Sequence, residues 1–292
     1  MKERIKEIIA TVIYTLYQKH ILKNHIHVCS VDETIDALVK TDNSLARFGD
    51  GEISLIAGIG SATQKSDLEL GKRLEQVLQS DEEGLLVALN GIFDGMDELH
   101  RKNQLFWKKH LLKFRKYYNQ YCDPERVYYN SFVSRCYYSF RDRRKCTVWF
   151  DKIKDIWKDK DVVVVEGEAT HNGVGNDLLD QCKSIRRILC PSKNAYGSYT
   201  EILRACREFK KNQLFLVSIG AAAKPLVYDL HKEGYRVIDI GNLDLEYEWY
   251  LQKTEDKQKL KKHSVIGVQQ NQEAHYNDYL EQIAYRIQGD NV

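Results

Sequence analysis

From Val162 the chain reads Val162-Val163-Val164-Val165-Glu166-Gly167-Glu168-Ala169-Thr170-His171-Asn172-Gly173-Val174-Gly175-Asn176-Asp177. Four successive valines show no alternation of apolar and polar residues. Such a strand is buried on both faces, as parallel strands between helices are. The run ends in glycine-rich sequence, the punctuation expected where a strand hands over to a helix. Working outward, Ile185–Leu189, Leu214–Ser218 and Val237–Ile240 are further apolar runs. Helical patterns at Asp177–Cys182, Tyr199–Phe209 and Pro225–Glu233 separate them. Strands alternating with single helices pair in parallel through right-handed crossovers. The predicted class is therefore α/β, a Rossmann-like, mostly parallel sheet flanked by helices. Ligands of such sheets bind beyond the carboxyl ends of the strands, so the chemistry is sought there.

Each strand end offers something different. After the valines, Gly173 and Gly175 fit the first two positions of G-x-G-x-x-G, but position 178 is Leu. A loop of this kind at a helix N-terminus can cradle a diphosphate; a plain connection is the alternative. Cys190-Pro191-Ser192-Lys193-Asn194 lacks the acidic residue an NAD ribose wants, and suits a phosphate or the 2′-phosphate of NADP. Gly220, followed by three alanines, lets a ligand or another backbone approach. Beyond Val237–Ile240 come Asp244, Glu246 and Glu248. Extended, they would share one face; on a helix only Asp244 and Glu248 would. Any of them can serve as a metal ligand or general base, or simply favour a helix start through the dipole.

The first half carries one compact motif, Arg47-Phe48-Gly49-Asp50-Gly51-Glu52, at the exit of a predicted strand from Ser44 to Phe48. If the segment stays extended, Asp50 and Glu52 point the same way and converge on one point. Paired carboxylates without sulfur or imidazole suit a hard cation such as Mg²⁺ or Mn²⁺; an acidic surface turn is the competing reading. Ser30 and Glu33 have capping-box spacing and open a helix to about Lys40. A helix from Asp67 to Gln79 and a buried strand from Leu85 to Leu89 follow. From Asp94 to Tyr121 the pattern is helical, with aromatics among lysines. That mixture can mark nucleic-acid binding, but Leu105, Leu112 and Tyr118 are spaced as a core-facing stripe. Arg135 can form a fork onto phosphate oxygens or pair with a structural carboxylate. His100, His171 and His231 have no ligand-like spacing.

Composition narrows the classes. The 292 residues are 43% hydrophobic and 29% charged, with net charge +2, so nothing demands a nucleic-acid or membrane partner. Seven cysteines, never spaced C-x-x-C, argue against both a disulfide framework and a zinc site, and a reducing cytoplasm is the expected compartment. The N-terminal segment reads as neither signal peptide nor membrane span. Its Ile5, Ile8, Ile9, Val12, Ile13 and Leu16 recur at helical spacing, which predicts a packed or dimer-forming helix and leaves a membrane surface open.

Four separated motifs in order, Arg47 to Glu52, Val162 to Leu178, Cys190 to Ala195 and Asp239 to Trp249, resemble the GT-D glycosyltransferases. These are bacterial enzymes of serine-rich adhesin glycosylation and surface polysaccharide synthesis. The resemblance covers roughly residues 30–252, with 1–29 as an N-terminal helical extension and 253–292 as a C-terminal helical segment. It implies transfer from a nucleotide-diphosphate sugar, with UDP expected, to a glycan or glycoprotein acceptor. It also implies a D-x-E metal motif, here Asp50 and Glu52, holding Mn²⁺ or Mg²⁺. Donor contacts are then expected from Arg47, Gly49, Thr170, Gly173, Gly175, Asn176, Ser192, Lys193, Asn194 and Gly220. Glu248, then Asp244, are the expected catalytic bases. The family usually has His at Asn242, Pro at Cys136 and hydroxyl residues near Ala222 and Ala223. An NADP-dependent oxidoreductase using Lys193, and a non-catalytic nucleotide-binding assembly subunit, are the alternatives.

Overall fold

The computed structural model describes residues 2–19, 21–22, 26–260 and 273–289. Among these residues nine strands form one sheet: β1 (His27–Val28), β2 (Ser44–Arg47), β3 (Leu85–Leu89), β4 (Val127–Asn130), β5 (Asp161–Gly167), β6 (Ser184–Cys190), β7 (Leu214–Ser218), β8 (Arg236–Asp239) and β9 (Ile283–Arg286). Their spatial order is β1-β4-β3-β2-β8-β7-β5-β6-β9, and every neighbouring pair is parallel. The β2–β8 pairing, Leu45 opposite Ile238, joins the two halves of the chain into a single sheet. The helices are α1 (Lys2–Gln18), α2 (Val31–Lys40), α3 (Asp50–Ile56), α4 (Leu68–Leu78), α5 (Arg101–Tyr121), α6 (Lys145–Asp155), α7 (Tyr199–Arg207), α8 (Ala223–Lys232), α9 (Leu243–Leu251) and α10 (Glu273–Gln282).

Val162 to Val165 are fully buried. Successive strand side chains point to opposite faces, so helices must cover the sheet on both sides. Burying each such side chain contributes roughly 1.5–3 kcal/mol, which is why an unbroken apolar run specifies a central strand. Helix α2 starts as its spacing predicts: Ser30 Oγ accepts from the Glu33 N–H at 3.1 Å, and Glu33 accepts from the Ser30 N–H at 2.8 Å. Asp67 caps α4 in the same manner, accepting from the Leu70 N–H at 2.9 Å.

The expected core stripe of α5 is displaced, with Leu112 exposed and Trp107, His110, Leu111 and Phe114 buried alongside Tyr118, and three further expectations fail for identifiable reasons. Residues 177–182 form turns rather than a helix. Gly173 and Gly175 adopt left-handed backbone, and Leu178 and Gln181 give their carbonyls to Trp157 Nε1 and the Asp159 N–H. The helical pattern from Asp94 takes effect only at Arg101, because Leu99 is drawn into a bridge with Phe140. The C-terminal segment is not wholly helical, since β9 adds a strand beside β6. Of that segment, 261–272 and 290–292 lie outside the described residues.

Candidate active site

A cleft of about 830 Å³ lies over the carboxyl ends of the strands. Each central strand delivers a residue to its wall: Arg47 from β2 and Phe48 after it, Asn90 after β3, Ser131 after β4, Gly167 from β5, Ser192 after β6, Ser218 from β7 and Asp239 from β8. Helix α5 contributes Asn103, Phe106 and Trp107, and α9 contributes Leu245 and Glu246.

The floor is a chain of buried charges. Arg47 Nε donates to the Asp239 carbonyl at 2.7 Å, Nη2 to Asp239 Oδ1 at 3.1 Å, and Nη1 to the Ser131 carbonyl at 3.1 Å. Lys224 Nζ lies 3.1 Å from Asp239 Oδ2 and 2.8 Å from Glu52 Oε1. Burial pushes the Asp239 carboxyl up, but Arg47 and Lys224 together hold it below its ordinary value. Burial likewise pushes Lys224 down, and Asp239 and Glu52 more than offset this, so the ammonium stays charged. Gly241 is required here: its φ is +47°, and a Cβ would overlap the Arg47 guanidinium.

The acidic motif departs from its extended reading. Asp50 opens α3, and Glu52 is its third residue. On a helix, positions two apart do not face each other. Glu52 turns back to accept from the Gly49 N–H at 2.8 Å while its other oxygen meets Lys224. Asp50, the more exposed member of the pair, lines the cleft without such an ion pair among the described residues. Burial, then the charge of Glu52, raise its pKa, against the pull of Arg135 and Lys257. Lys257 is in turn lowered by burial and by Arg135.

Among the described residues no group of three His, Cys, Asp or Glu side chains is arranged to hold a metal ion. A divalent ion used with nucleotides, however, is commonly held by one or two carboxylates plus substrate phosphates. Asp50 fits that use, with Glu52 beside it and the Asn242 amide also on the cleft wall. The donor set fits a cation shared with a substrate rather than a fully protein-built cage.

Of the residues expected from the sequence, Arg47, Gly49, Asp50, Glu52, Thr170, Ser192 and Gly220 line the cleft. Gly173, Gly175, Asn176, Lys193, Asn194, Asp244 and Glu248 do not. The glycine loop after β5 is closed on itself: Asp244, fully buried, accepts from the Gly173 N–H at 2.9 Å and from Asn176 Nδ2 at 2.9 Å. Asn176 Nδ2 also donates to Glu248 Oε1 at 2.6 Å. The amide expected to greet a phosphate is thus taken, and no helix follows to supply a dipole. Asp244 and Glu248 do share a helix face, as the helical alternative required, but that face clamps this loop. Neither lines the cleft. Lys193 is exposed, and Asn194 works indirectly. Its Oδ1 accepts from the Lys65 N–H at 2.7 Å and its N–H donates to the Thr63 carbonyl at 2.8 Å, pinning the 60–63 wall of the cleft.

The acidic residue of α9 that reaches the cleft is Glu246. It accepts from the N–H groups of Tyr138 at 2.7 Å and Tyr137 at 3.0 Å, and lies 3.5 Å from Arg135 Nη1. Burial raises its pKa against these partners. Arg135 therefore pairs with a structural carboxylate, one of the two roles read for it, and also lines the cleft. Asp239 and Lys224 escaped the sequence reading as site residues. Their signal was a charge ending or interrupting an otherwise apolar stretch, Val237-Ile238-Asp239 and Ala222-Ala223-Lys224. Asn90, Asn103, Phe106 and Lys257 had no such signal.

The comparisons agree with this geometry. Residues 45–268 match the family model described as glycosyltransferase GT-D fold. The chain is 40% identical over 257 residues to a probable glycosyl transferase Gly of Streptococcus gordonii, covering 88% of this chain and 38% of that protein. It is 37% identical over 225 residues to the glycosyltransferase GlyD of Streptococcus pneumoniae serotype 4, covering 77% and 28%. It thus spans well under half the length of either relative. A solved structure described as a new glycosyltransferase from Streptococcus sanguinis superposes with a TM-score of 0.83 at 38% identity, covering 90% of this chain and all of that one. With its parallel sheet, its cleft at the strand ends and these matches, the chain belongs to the GT-D fold glycosyltransferases.

Proposed function

We propose that the chain moves a sugar from a nucleotide-diphosphate donor, UDP being the expected nucleotide, to a glycan or glycoprotein acceptor, with Mn²⁺ or Mg²⁺ as cofactor. The observation that carries this reading is Asp50, an open carboxylate at the cleft with the cations Arg135 and Lys257 close enough to shift its pKa. A diphosphate carrying a divalent ion matches that mixture of signs. Buried polar atoms in the wall, Asn90 Oδ1, Ser131 Oγ and Asn172 Oδ1, have no hydrogen-bond partner among the described residues, which suits a polar ligand. Phe106, 48% exposed at the cleft, offers a ring face for a base or a sugar.

Breaking the sugar–phosphate bond leaves negative charge on the nucleoside diphosphate. A bound divalent ion, held by Asp50 with Glu52 and Asn242 near it, supplies Lewis-acid stabilisation of that charge. Arg135 adds a preorganised guanidinium, oriented by Glu246, and Lys257 a second cation. Lys224 holds Glu52 in place, so the motif keeps its shape without a ligand. An oxidoreductase using NADP finds no comparable support, because Lys193 lies outside the cleft. The test is a panel of nucleotide sugars with and without Mn²⁺, scored by release of free nucleotide. Metal-dependent release from one donor is expected. Binding without release would favour a non-catalytic subunit, and release indifferent to metal would remove the cofactor assignment.

A further inference from the structure

We propose that α1 and α5 form a docking face for an anionic lipid bilayer. One side of α1 is used internally: Ala10, Tyr14 and Tyr17 are buried, and Tyr14 Oη donates to the Ile92 carbonyl at 3.1 Å. Ile5, Ile8, Ile9 and Val12 are 50%, 58%, 45% and 51% exposed. At 3.6 residues per turn they form one stripe, roughly opposite the buried side. Four branched apolar side chains in register are a patch, not scattered exposure.

The charges around this stripe are predominantly positive. Helix α5, which packs on α1, carries seven basic residues and no acidic one. The two helices together hold ten basic and two acidic side chains, a net +8, against +2 for the whole chain. Both acids, Glu3 and Glu7, are paired to Lys109 of α5 at 2.6 Å and 3.1 Å. Lys2, Arg4 and Lys6 are exposed beside the isoleucines, and Arg101, Lys113 and Lys116 are exposed on α5. A second copy of the chain would bring two such positive faces together, and a nucleic acid would leave the isoleucines wet. An anionic bilayer accepts both the apolar stripe and the cations. No helix among the described residues is long and apolar enough to cross a membrane, so the contact is peripheral. Phe106 and Trp107 of the same α5 line the cleft, so docking face and cleft share one helix.

The experiment is co-sedimentation of the full chain with vesicles of phosphatidylcholine alone and of phosphatidylcholine with phosphatidylglycerol. Binding is expected only to the anionic vesicles, weakening with added salt. Two variants, Ile5→Glu with Ile9→Glu and Lys2→Glu with Arg4→Glu and Lys6→Glu, should each lower it by about tenfold or more. Circular dichroism and nucleotide release should stay unchanged in both. Absence of binding to anionic vesicles overturns the proposal, as does binding that neither variant affects. Concentration-dependent dimerisation in ultracentrifugation that Ile5→Glu with Ile9→Glu abolishes, or binding to duplex DNA in preference to vesicles, also overturns it.

Discussion

Gly49-Asp50-Gly51-Glu52 after β2 and Gly173-Val174-Gly175-Asn176 after β5 look alike as sequence. Both are glycine-rich, both leave a buried parallel strand, and both have carboxylates available to them. In the folded chain the first opens onto the cleft, with Asp50 presented to it. The second folds inward, its Gly173 N–H and Asn176 side chain held by Asp244 from α9. The difference lies in where the balancing groups come from. Glu52 is satisfied by its own helix start and by Lys224, which leaves Asp50 over. At the second loop a carboxylate 71 positions later in the chain satisfies the donors.

Four substitutions test that contrast, from the largest effect to the smallest. Lys224→Met removes the cation between Glu52 and Asp239, leaving Glu52 without a cation and Asp239 with Arg47 alone. Breaking such a pair costs about 3–5 kcal/mol, to be read as a lower urea midpoint. A loss below about 1 kcal/mol would show that the charge chain does not hold the open loop in place. Asp50→Asn should not lower the urea midpoint at neutral pH but should cut nucleotide release by about 10²–10³, as removal of an electrostatic catalytic group does. Near-normal release would break the contrast at its root.

Asp50 also sets a pH signature. Its pKa is raised in the folded state, so the folded chain binds the proton more tightly than the unfolded one. Its contribution to stability therefore falls as pH rises from the ordinary carboxylate range through the raised folded-state value, and Asn at position 50 should gain on the wild type over that rise. Asp239, held low, acts in the opposite direction: its stabilisation is present above the ordinary carboxylate range and is lost only in stronger acid.

Asp244→Ala frees buried donors of the closed loop and should cost about 1–3 kcal/mol of stability, with release per folded molecule little changed. Glu248→Gln should be the mildest, under about 1 kcal/mol, since this carboxylate is half-buried and keeps an acceptor oxygen for Asn176. A drop of about 10²–10⁴ in release from Glu248→Gln would instead restore the general-base role read from the sequence.

Six strands were legible because burial on both faces writes itself as apolar runs, from Leu85–Leu89 to Leu214–Ser218; β1, β4 and β9, only two to four residues long, were not. Helix starts with local caps, at Ser30 and Asp67, were legible for the same reason: both partners lie within three residues. The turn at 177–182 was not, since its carbonyls are claimed by Trp157 and Asp159, beyond the reach of helical periodicity.

By itself, then, the sequence determined the α/β class, six of the nine strands and the strand ends at which to look, because burial and capping are local and periodic. Only the tertiary structure decided that β2 lies beside β8, that Lys224 sits between Glu52 and Asp239, and that Glu246 rather than Asp244 or Glu248 faces the cleft. Those outcomes depend on which distant group satisfies each charge and each N–H. The pairing of buried polar atoms across tens to hundreds of residues has no period that a sequence pattern can carry.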